Sequence, residues 1–288
     1  MSWRTVVITG SAKLDYQLGF LVVRKEKITK IHLNEIGVLL IDSTAVSITA
    51  ALINELLKQK VKIIFCNEKH NPCGEILPYY GSHDTSAKIR TQMTWSEDDK
   101  KEVWTAIVKE KIGKQRALLQ KLDKREYLLL EQYIEELQYG DESNREGHAA
   151  KVYFNALFGM DFSRTSDNPL NAALNYGYAI ILSSFTKEIC ANGYLTQIGM
   201  FHDNMFNPFN LASDMMEPYR ILVNQAVYDM NIRQFGTEEK MALVNLLNAT
   251  VVIAGRSEYV GNAVKIYSKS IFDALNERDI SLIKFYEL

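Results

Sequence analysis

The sequence predicts an α+β chain in which a small N-terminal β-rich domain, residues 1–80, precedes a larger all-α C-terminal domain, residues 81–288. Three observations predict it. Short β-branched and apolar runs crowd the N-terminal part. Farther on, apolar residues recur at helical spacing, in segments closed by glycine or Asn-Gly. Between the two, Tyr80–Thr85 is a polar connection where the composition changes.

The elements follow in order. Thr5–Thr9 is a β-branched run. Gly19–Arg24 and Ile28–Leu33 flank Lys25-Glu26-Lys27 and read as a hairpin. Val38–Ile41 is wholly apolar, as a strand buried on both faces is. Leu52, Leu56 and Leu57 set a helix over Ile48–Lys60, with Ser47 as its cap. Val61–Phe65 returns to strand, Asn71-Pro72-Cys73-Gly74 reads as a turn, and Glu75–Tyr79 as a last strand. Asp84 or Thr85 caps the first of a series of helices. These are expected at Thr85–Trp95, Glu97–Lys121, Lys124–Tyr139, Arg145–Phe158, Leu170–Asn192, Asn210–Phe235, Thr237–Ala254 and Asn262–Arg278. Pro218 removes a backbone donor inside the segment Asn210–Phe235, so a kink or a restart is expected there. No internal repeat or low-complexity tract interrupts the chain.

Composition narrows the function classes. With 47% apolar residues in 288, a sizeable core is attainable. The formal net charge of −2 rules out a chain that binds polyanions through bulk charge, so any nucleic-acid contact needs a local basic patch. The 3 cysteines, Cys66, Cys73 and Cys190, do not form a disulfide framework, and point to a reducing cytoplasm. The N-terminus has no signal-peptide pattern, and no stretch reaches the ~18 apolar residues of a membrane helix.

The chemistry concentrates in His202–Arg220, HDNMFNPFNLASDMMEPYR. Asp214 and Glu217 are three apart, so a helix places them on one face. A histidine and carboxylates aimed at one point can hold a divalent cation for phosphate chemistry. The plainer reading pairs the carboxylates with Arg220. Glu146, in REGHAAKVYF, has Ala149, Ala150 and Tyr153 as helical neighbours and faces inward, or else sits at a helix start and offsets the dipole.

Other features are weaker. Cys66, His70 and Cys73 form C-x3-H-x2-C without a clear fourth ligand for structural zinc. Lys109–Arg125 is strongly basic, with Lys109, Lys111, Lys114, Arg116, Lys121, Lys124 and Arg125, and reads as a solvated face or a phosphate-tracking surface. The apolar helix NPLNAALNYGYAI embeds Asn171, Asn175, Tyr176 and Tyr178, whose polar groups need partners or a ligand.

At REGHAAKVYF, SDNPLNAALNYGYAI and NPFNLASDMMEPYR, and in the N-terminal hairpin and strand–helix unit, the chain resembles the spacer integrase of CRISPR adaptation, CRISPR-associated protein one. The wording of the last motif is most like the type II-A branch. The resemblance spans nearly the whole chain and implies an N-terminal β domain that dimerises and a helical catalytic domain. It also implies a metal-dependent DNA endonuclease and integrase, holding Mg²⁺ or Mn²⁺ through Glu146, His202 and Glu217. Asp214 matches an acidic position beside the site, and Tyr176 matches a tyrosine near the scissile DNA. Arg220, Arg164, Lys114 and Arg116 are candidate DNA contacts. Where some relatives carry a lysine after the motif histidine, this chain reads Asp203-Asn204-Met205-Phe206-Asn207.

The implied partners are double-stranded DNA with 3′ overhangs, CRISPR repeat DNA, a second copy of the chain and a small ferredoxin-like adaptation subunit. Other adaptation proteins and the RNA-guided effector nuclease complete the set, and no membrane is involved. Two alternatives use the same residues. A histidine–aspartate phosphohydrolase would employ His148, His202-Asp203 and Asp214. A non-enzymatic DNA-binding scaffold would carry the acidic cluster as structure alone.

Overall fold

A computed structural model describes residues 4–78 and 82–287. The N-terminal part contains β1 (Arg4–Ile8), β2 (Ala12–Gln17), β3 (Phe20–Arg24), β4 (Ile28–His32), β5 (Ile36–Ile41), β6 (Val46–Ile48), α1 (Ala50–Lys58), β7 (Lys62–Cys66) and β8 (Pro72–Ile76). The proposed domain boundary at 80/81 and the end of the strand expected at Glu75–Tyr79 lie outside the described residues.

Two sheets form. In one, β1, β5 and β7 are parallel neighbours and β8 closes the edge antiparallel to β7. In the other the order is β4-β3-β2-β6. β5 explains its own composition. Leu39 and Ile41 face the N-terminal core, while Leu40 faces the core of the helical part. A strand buried on both sides has no polar face to alternate with. The first sheet is therefore the wall shared by the two halves, and the helix over Pro169–Ala191 packs on β7 and β8.

The rest is mainly helical: α2 (Thr85–Met93), α3 (Glu97–Lys121), α4 (Tyr127–Glu135), α5 (Arg145–Phe158), α6 (Pro169–Ala191), α7 (Asn210–Met215), α8 (Arg220–Met230), α9 (Thr237–Asn245) and α10 (Val260–Glu277). The fold class is the expected one, β-rich then helical. No helix among the described residues is long and apolar enough to cross a membrane. A small sheet is added to the helical part, from β9 (Thr250–Ile253), β10 (Arg256–Tyr259) and β11 (Tyr286–Glu287), in the order β10-β9-β11. The segment Thr237–Ala254 is thus helix only in its first half. Its β-branched TVVI run pairs instead, through a tight turn at Ala254 (φ 51°) and Gly255 (φ 70°).

Other departures have local causes. β2 pairs with β3 through Leu18 (φ 47°) and Gly19 (φ 86°), a hairpin turn without the usual Asn-Gly signal. Thr49, not Ser47, caps α1, accepting from Leu52 N at 3.4 Å, and Ser47 lies in β6. The turn expected at Asn71–Gly74 sits upstream. There Asn67 Oδ1 accepts from Lys69 N and Asn71 N, both at 3.0 Å, and Pro72 opens the edge strand β8. The Asn210–Phe235 segment breaks at Pro218 into α7, a 3₁₀ turn Glu217–Tyr219 and α8. That break is what turns Glu217 inward.

Candidate metal and nucleic-acid site

Five segments meet behind the α3 helix. α3 itself supplies Trp104 and Lys111, both buried on the stripe that also carries Ile107, Gln115 and Leu118. α5 supplies Glu146 in its first turn. Its helix start is capped by buried Asp141, whose carboxylate accepts from Arg145 N at 2.7 Å and Glu146 N at 3.1 Å. The turn before α7 supplies His202, α7 supplies Asp214, and the 3₁₀ turn supplies Glu217. Tyr286 of β11 braces that turn from behind, donating its hydroxyl to Pro218 O at 2.9 Å.

Glu146 and Glu217 meet on one cation. The Lys111 ammonium donates to Glu146 Oε1 and to Glu217 Oε2. Two oxygens bonded to one nitrogen are no more than roughly 6 Å apart. Arg220 Nε holds the other Glu217 oxygen at 2.8 Å. Burial alone would raise the Glu217 pKa. Arg220 and Lys111 overcome it and hold the carboxyl down at about 2. Burial likewise opposes the Lys111 charge, yet Glu217 and Glu146 keep that ammonium's pKa above the ordinary lysine value.

His202 is placed by Asp214. Asp214 is fully buried and accepts from Met200 N at 2.6 Å, and from Phe201 N and His202 N at 3.1 Å each. Its Oδ1 is also 2.5 Å from His202 Nδ1. That hydrogen bond, opposed by partial burial, raises the His202 pKa, and Glu217 adds to the shift. With Nδ1 engaged, Nε2 is the nitrogen left for a cation or a phosphate. Gly199 makes the turn possible, since a Cβ there would lie 2.3 Å from His202 O and 2.9 Å from Asp214 Oδ2. Trp104 stacks on Phe201, centroids 4.4 Å apart, and meets His202 edge-on at 5.9 Å.

The donor set fits a hard divalent cation: two carboxylates that already share a positive charge, with an oriented imidazole in the same electrostatic neighbourhood. Among the described residues, no three His, Cys, Asp or Glu side chains converge into a ready-made cage. Lys111 brings Glu146 and Glu217 together, and His202 is held by Asp214 rather than by that pair. Lys111 was counted in the sequence only as part of a basic run. Its place at helical spacing among the apolar Trp104, Ile107 and Leu118 is the signal that it points inward.

The remaining candidates are placed differently. Tyr176 is not at the acidic cluster. It packs on Phe235, centroids 5.6 Å apart, and lines a separate cavity of about 290 Å³ with Asp42, His70 and Lys240. Two residues on, and so across the helix, Tyr178 lies under Arg220 at 4.7 Å and Arg164 at 5.3 Å. Its hydroxyl bonds Asn224. Arg220 is committed to Glu217. The Arg164 fork is taken by Asn171 Oδ1 at 2.5 Å and Asn175 Oδ1 at 2.6 Å, which gives that helix's asparagines their partners.

Lys114 is buried, paired with Glu110 at 2.7 Å and bonded to Tyr286 O, so it does not track phosphates. The helical period that buries Lys111 buries it too. Arg116 pairs with Glu131 at 2.8 Å. Of the zinc-like triplet, Cys66 is buried, with its thiol pushed up to about 12 by that burial, and Cys73 is exposed. His70 Nδ1 turns to Asp42 Oδ2 at 2.9 Å. The phosphohydrolase set does not assemble: His148 is exposed, 6.2 Å from the Tyr133 ring, Asp203 is exposed, and His202 pairs with Asp214.

A family model described as CRISPR associated protein Cas1 matches residues 6–243. A CRISPR-associated endonuclease Cas1 from Neisseria meningitidis serogroup C (strain 8013) is 35% identical over 233 residues, covering 79% of this chain and 75% of the relative. A second, from Francisella tularensis subsp. novicida (strain U112), is 25% identical over 281 residues, covering 88% and 87%. Among solved structures, a casposase bound to integration product superposes with TM-score 0.79 at 17% identity, covering 97% of this chain and 92% of that one. A Cas1 protein from Thermotoga maritima gives 0.77 at 17%, covering 94% and 97%. A chain of a Cas6-RT-Cas1–Cas2 complex gives 0.75 at 18%, covering 99% of this chain and 36% of that longer one. At these identities the structures share the fold.

Proposed function

This chain belongs to the Cas1 family, and from that premise we propose that it is the endonuclease and integrase of CRISPR adaptation, inserting foreign DNA fragments into a CRISPR array. The observation that supports the reading is the meeting of Glu146 and Glu217 on one positive charge, with His202 held by buried Asp214 and under the influence of the Glu217 charge.

Glu146, His202 and Glu217 would hold Mg²⁺ or Mn²⁺. Bound there, such a cation supplies polarisation of a phosphodiester oxygen and offsets charge on the pentacoordinate transition state. The chain's own groups do the rest. Asp214 fixes the imidazole tautomer and aim, so Nε2 needs no reorganisation when DNA arrives. Arg220 keeps Glu217 ionised and limits the negative charge that the incoming phosphate meets. The buried Trp104 beneath Phe201 and His202 keeps that wall of the site apolar. The nucleophile is a DNA 3′-hydroxyl, and its attack on a repeat strand is a transesterification, so no nucleotide triphosphate is consumed.

The working assembly is a homodimer through the β domain, joined by a small ferredoxin-like subunit. The solved assemblies named Cas1–Cas2 among its structural neighbours support an adaptation partner. Other adaptation proteins and the effector nuclease would supply fragments, in the cytoplasm.

The test is strand transfer of a duplex with 3′-hydroxyl overhangs into repeat-bearing plasmid with Mn²⁺. Joined products are expected with 3′-hydroxyl ends and not with 3′-deoxy ends. His202→Ala and Glu217→Ala should lower the yield by about 10²-fold or more. DNA binding without joining would favour the scaffold. Hydrolysis of small phosphoesters without DNA joining would favour the phosphohydrolase.

A further inference from the structure

Lysine is among the residues least often buried, because its ammonium loses its hydration. Lys111 is nonetheless 5% exposed, in mid-helix on the inner stripe of α3. Something specific must compensate it, and the compensation is the pair of carboxylates: Glu146 Oε1 and Glu217 Oε2 both accept from its Nζ. Glu146 and Glu217 come from elements remote in sequence, and each would face the other's charge if the ammonium were absent. Arg220 bonds Glu217 through its other oxygen and reaches Glu146 only by longer-range attraction. Among the described residues, the side chain in direct ion pairing with Glu146 is Lys111.

These two oxygens belong to two of the three residues read above as ligands of a divalent cation. An ammonium bonded to both, and a dication bonded to both at about 2.0–2.3 Å, would place like charges in one small space of low dielectric, where repulsion is strong. They are alternatives. We propose that Lys111 is an internal counter-ion that keeps Glu146 and Glu217 together while no metal is bound, and that the entering divalent cation must displace its ammonium from between them. Lys111 is then a positioning residue with two opposed effects. It preserves the ligand geometry in the metal-free protein, and it weakens metal affinity because binding includes its displacement. The flexible four-carbon stem suits that task, where the planar, rigid fork of an arginine would not retreat as readily.

The inference rests on the metal-centre reading, so its test separates the two. Mn²⁺ binding is measured calorimetrically on the full chain without DNA, for wild type, Glu217→Ala, Lys111→Met, Lys111→Gln and Lys111→Arg, with thermal unfolding of each with and without Mn²⁺. Lys111→Met and Lys111→Gln should bind Mn²⁺ about tenfold more tightly than wild type or better. Both should melt lower without Mn²⁺ and gain more from adding it. Lys111→Arg, which keeps the charge, should show no tightening. Unchanged or weaker Mn²⁺ binding in both neutral variants overturns the inference while leaving the metal centre standing. No Mn²⁺ binding by wild type, or equal binding by Glu217→Ala, removes the metal centre and the inference together. Should the neutral variants fold only with Mn²⁺, the inference is upheld. Should they fold in neither condition it is overturned, because a divalent cation must be able to replace the ammonium.

Discussion

Replacing Asp214 by Asn changes no volume and tests how the histidine is held. The carboxylate accepts from Met200 N and Phe201 N through Oδ2, and from His202 N and Nδ1 through Oδ1. An amide has one acceptor oxygen. If it faces His202, the NH₂ is turned against Met200 N and Phe201 N, and two buried donors lose their partner. The flipped amide loses His202 N and can only donate to Nδ1, which reverses the imidazole tautomer. A hydrogen bond to a charged group contributes about 1.5–3 kcal/mol, so one or two such losses, by the face the amide takes, give about 1.5–6 kcal/mol. For a domain of this size each kcal/mol moves Tm by about 2–4 °C, so the fall should be roughly 3–24 °C. Strand transfer should fall with it, measured at a temperature where the variant is folded, because His202 loses its orientation. Asp214 matches a position beside the site rather than a ligand, and its full burial makes it a structural post. Thermal unfolding by circular dichroism and the joining assay give both readouts. A Tm within about 2 °C of wild type would refute the reasoning.

Four further outcomes follow from the same geometry. Gly199→Ala puts a methyl 2.3 Å from the backbone oxygen of His202, so it should destabilise the turn and lower strand transfer and Mn²⁺ affinity, read by calorimetry. Glu217 has a depressed folded pKa of about 2. Its contribution, about 3 kcal/mol at most, is present above the unfolded value near 4.5 and is lost as pH falls toward 2. The stability gap between wild type and Glu217→Gln in urea should therefore narrow over that window. His202 runs the other way: its raised pKa gives stability that is full below 6.5 and lost as pH rises through the folded value. Lys114→Gln should lower Tm without changing affinity for duplex DNA in a salt titration, since Lys114 is bonded to Glu110 and Tyr286 rather than exposed.

Much of the molecule was legible in its sequence because the signals were periodic. α3 and α5 span the residues that apolar spacing predicts, Glu97–Lys121 and Arg145–Phe158. β5 and β7 announced themselves as apolar runs between turns. What was not legible depended on partners remote in sequence. β9 lies in a stretch whose leading Leu243, Val244 and Leu247 carry a helical period, and only pairing with β10 and β11 decides it as strand. The basic run of α3 looked like one surface. The helical period splits it, sending Lys111 and Lys114 inward and leaving Lys109 and Lys121 exposed. The asparagines of α6 appeared as polar groups without partners, and Arg164, outside that helix, satisfies two of them. Asp214 and Glu217 share the neighbourhood their spacing implies, but the break at Pro218 gives them different tasks: one holds His202, the other meets Lys111 and Arg220.

The central claim is that Glu146, His202 and Glu217 hold one divalent cation. Crystals grown with Mn²⁺ and measured at the manganese absorption edge test it directly. The account predicts one anomalous peak within about 2.0–2.3 Å of a carboxylate oxygen from each glutamate and of His202 Nε2. It also predicts that the Lys111 ammonium no longer lies between the carboxylates. A peak at other residues, or three side chains more than about 10 Å apart with Mn²⁺ saturating, would contradict it.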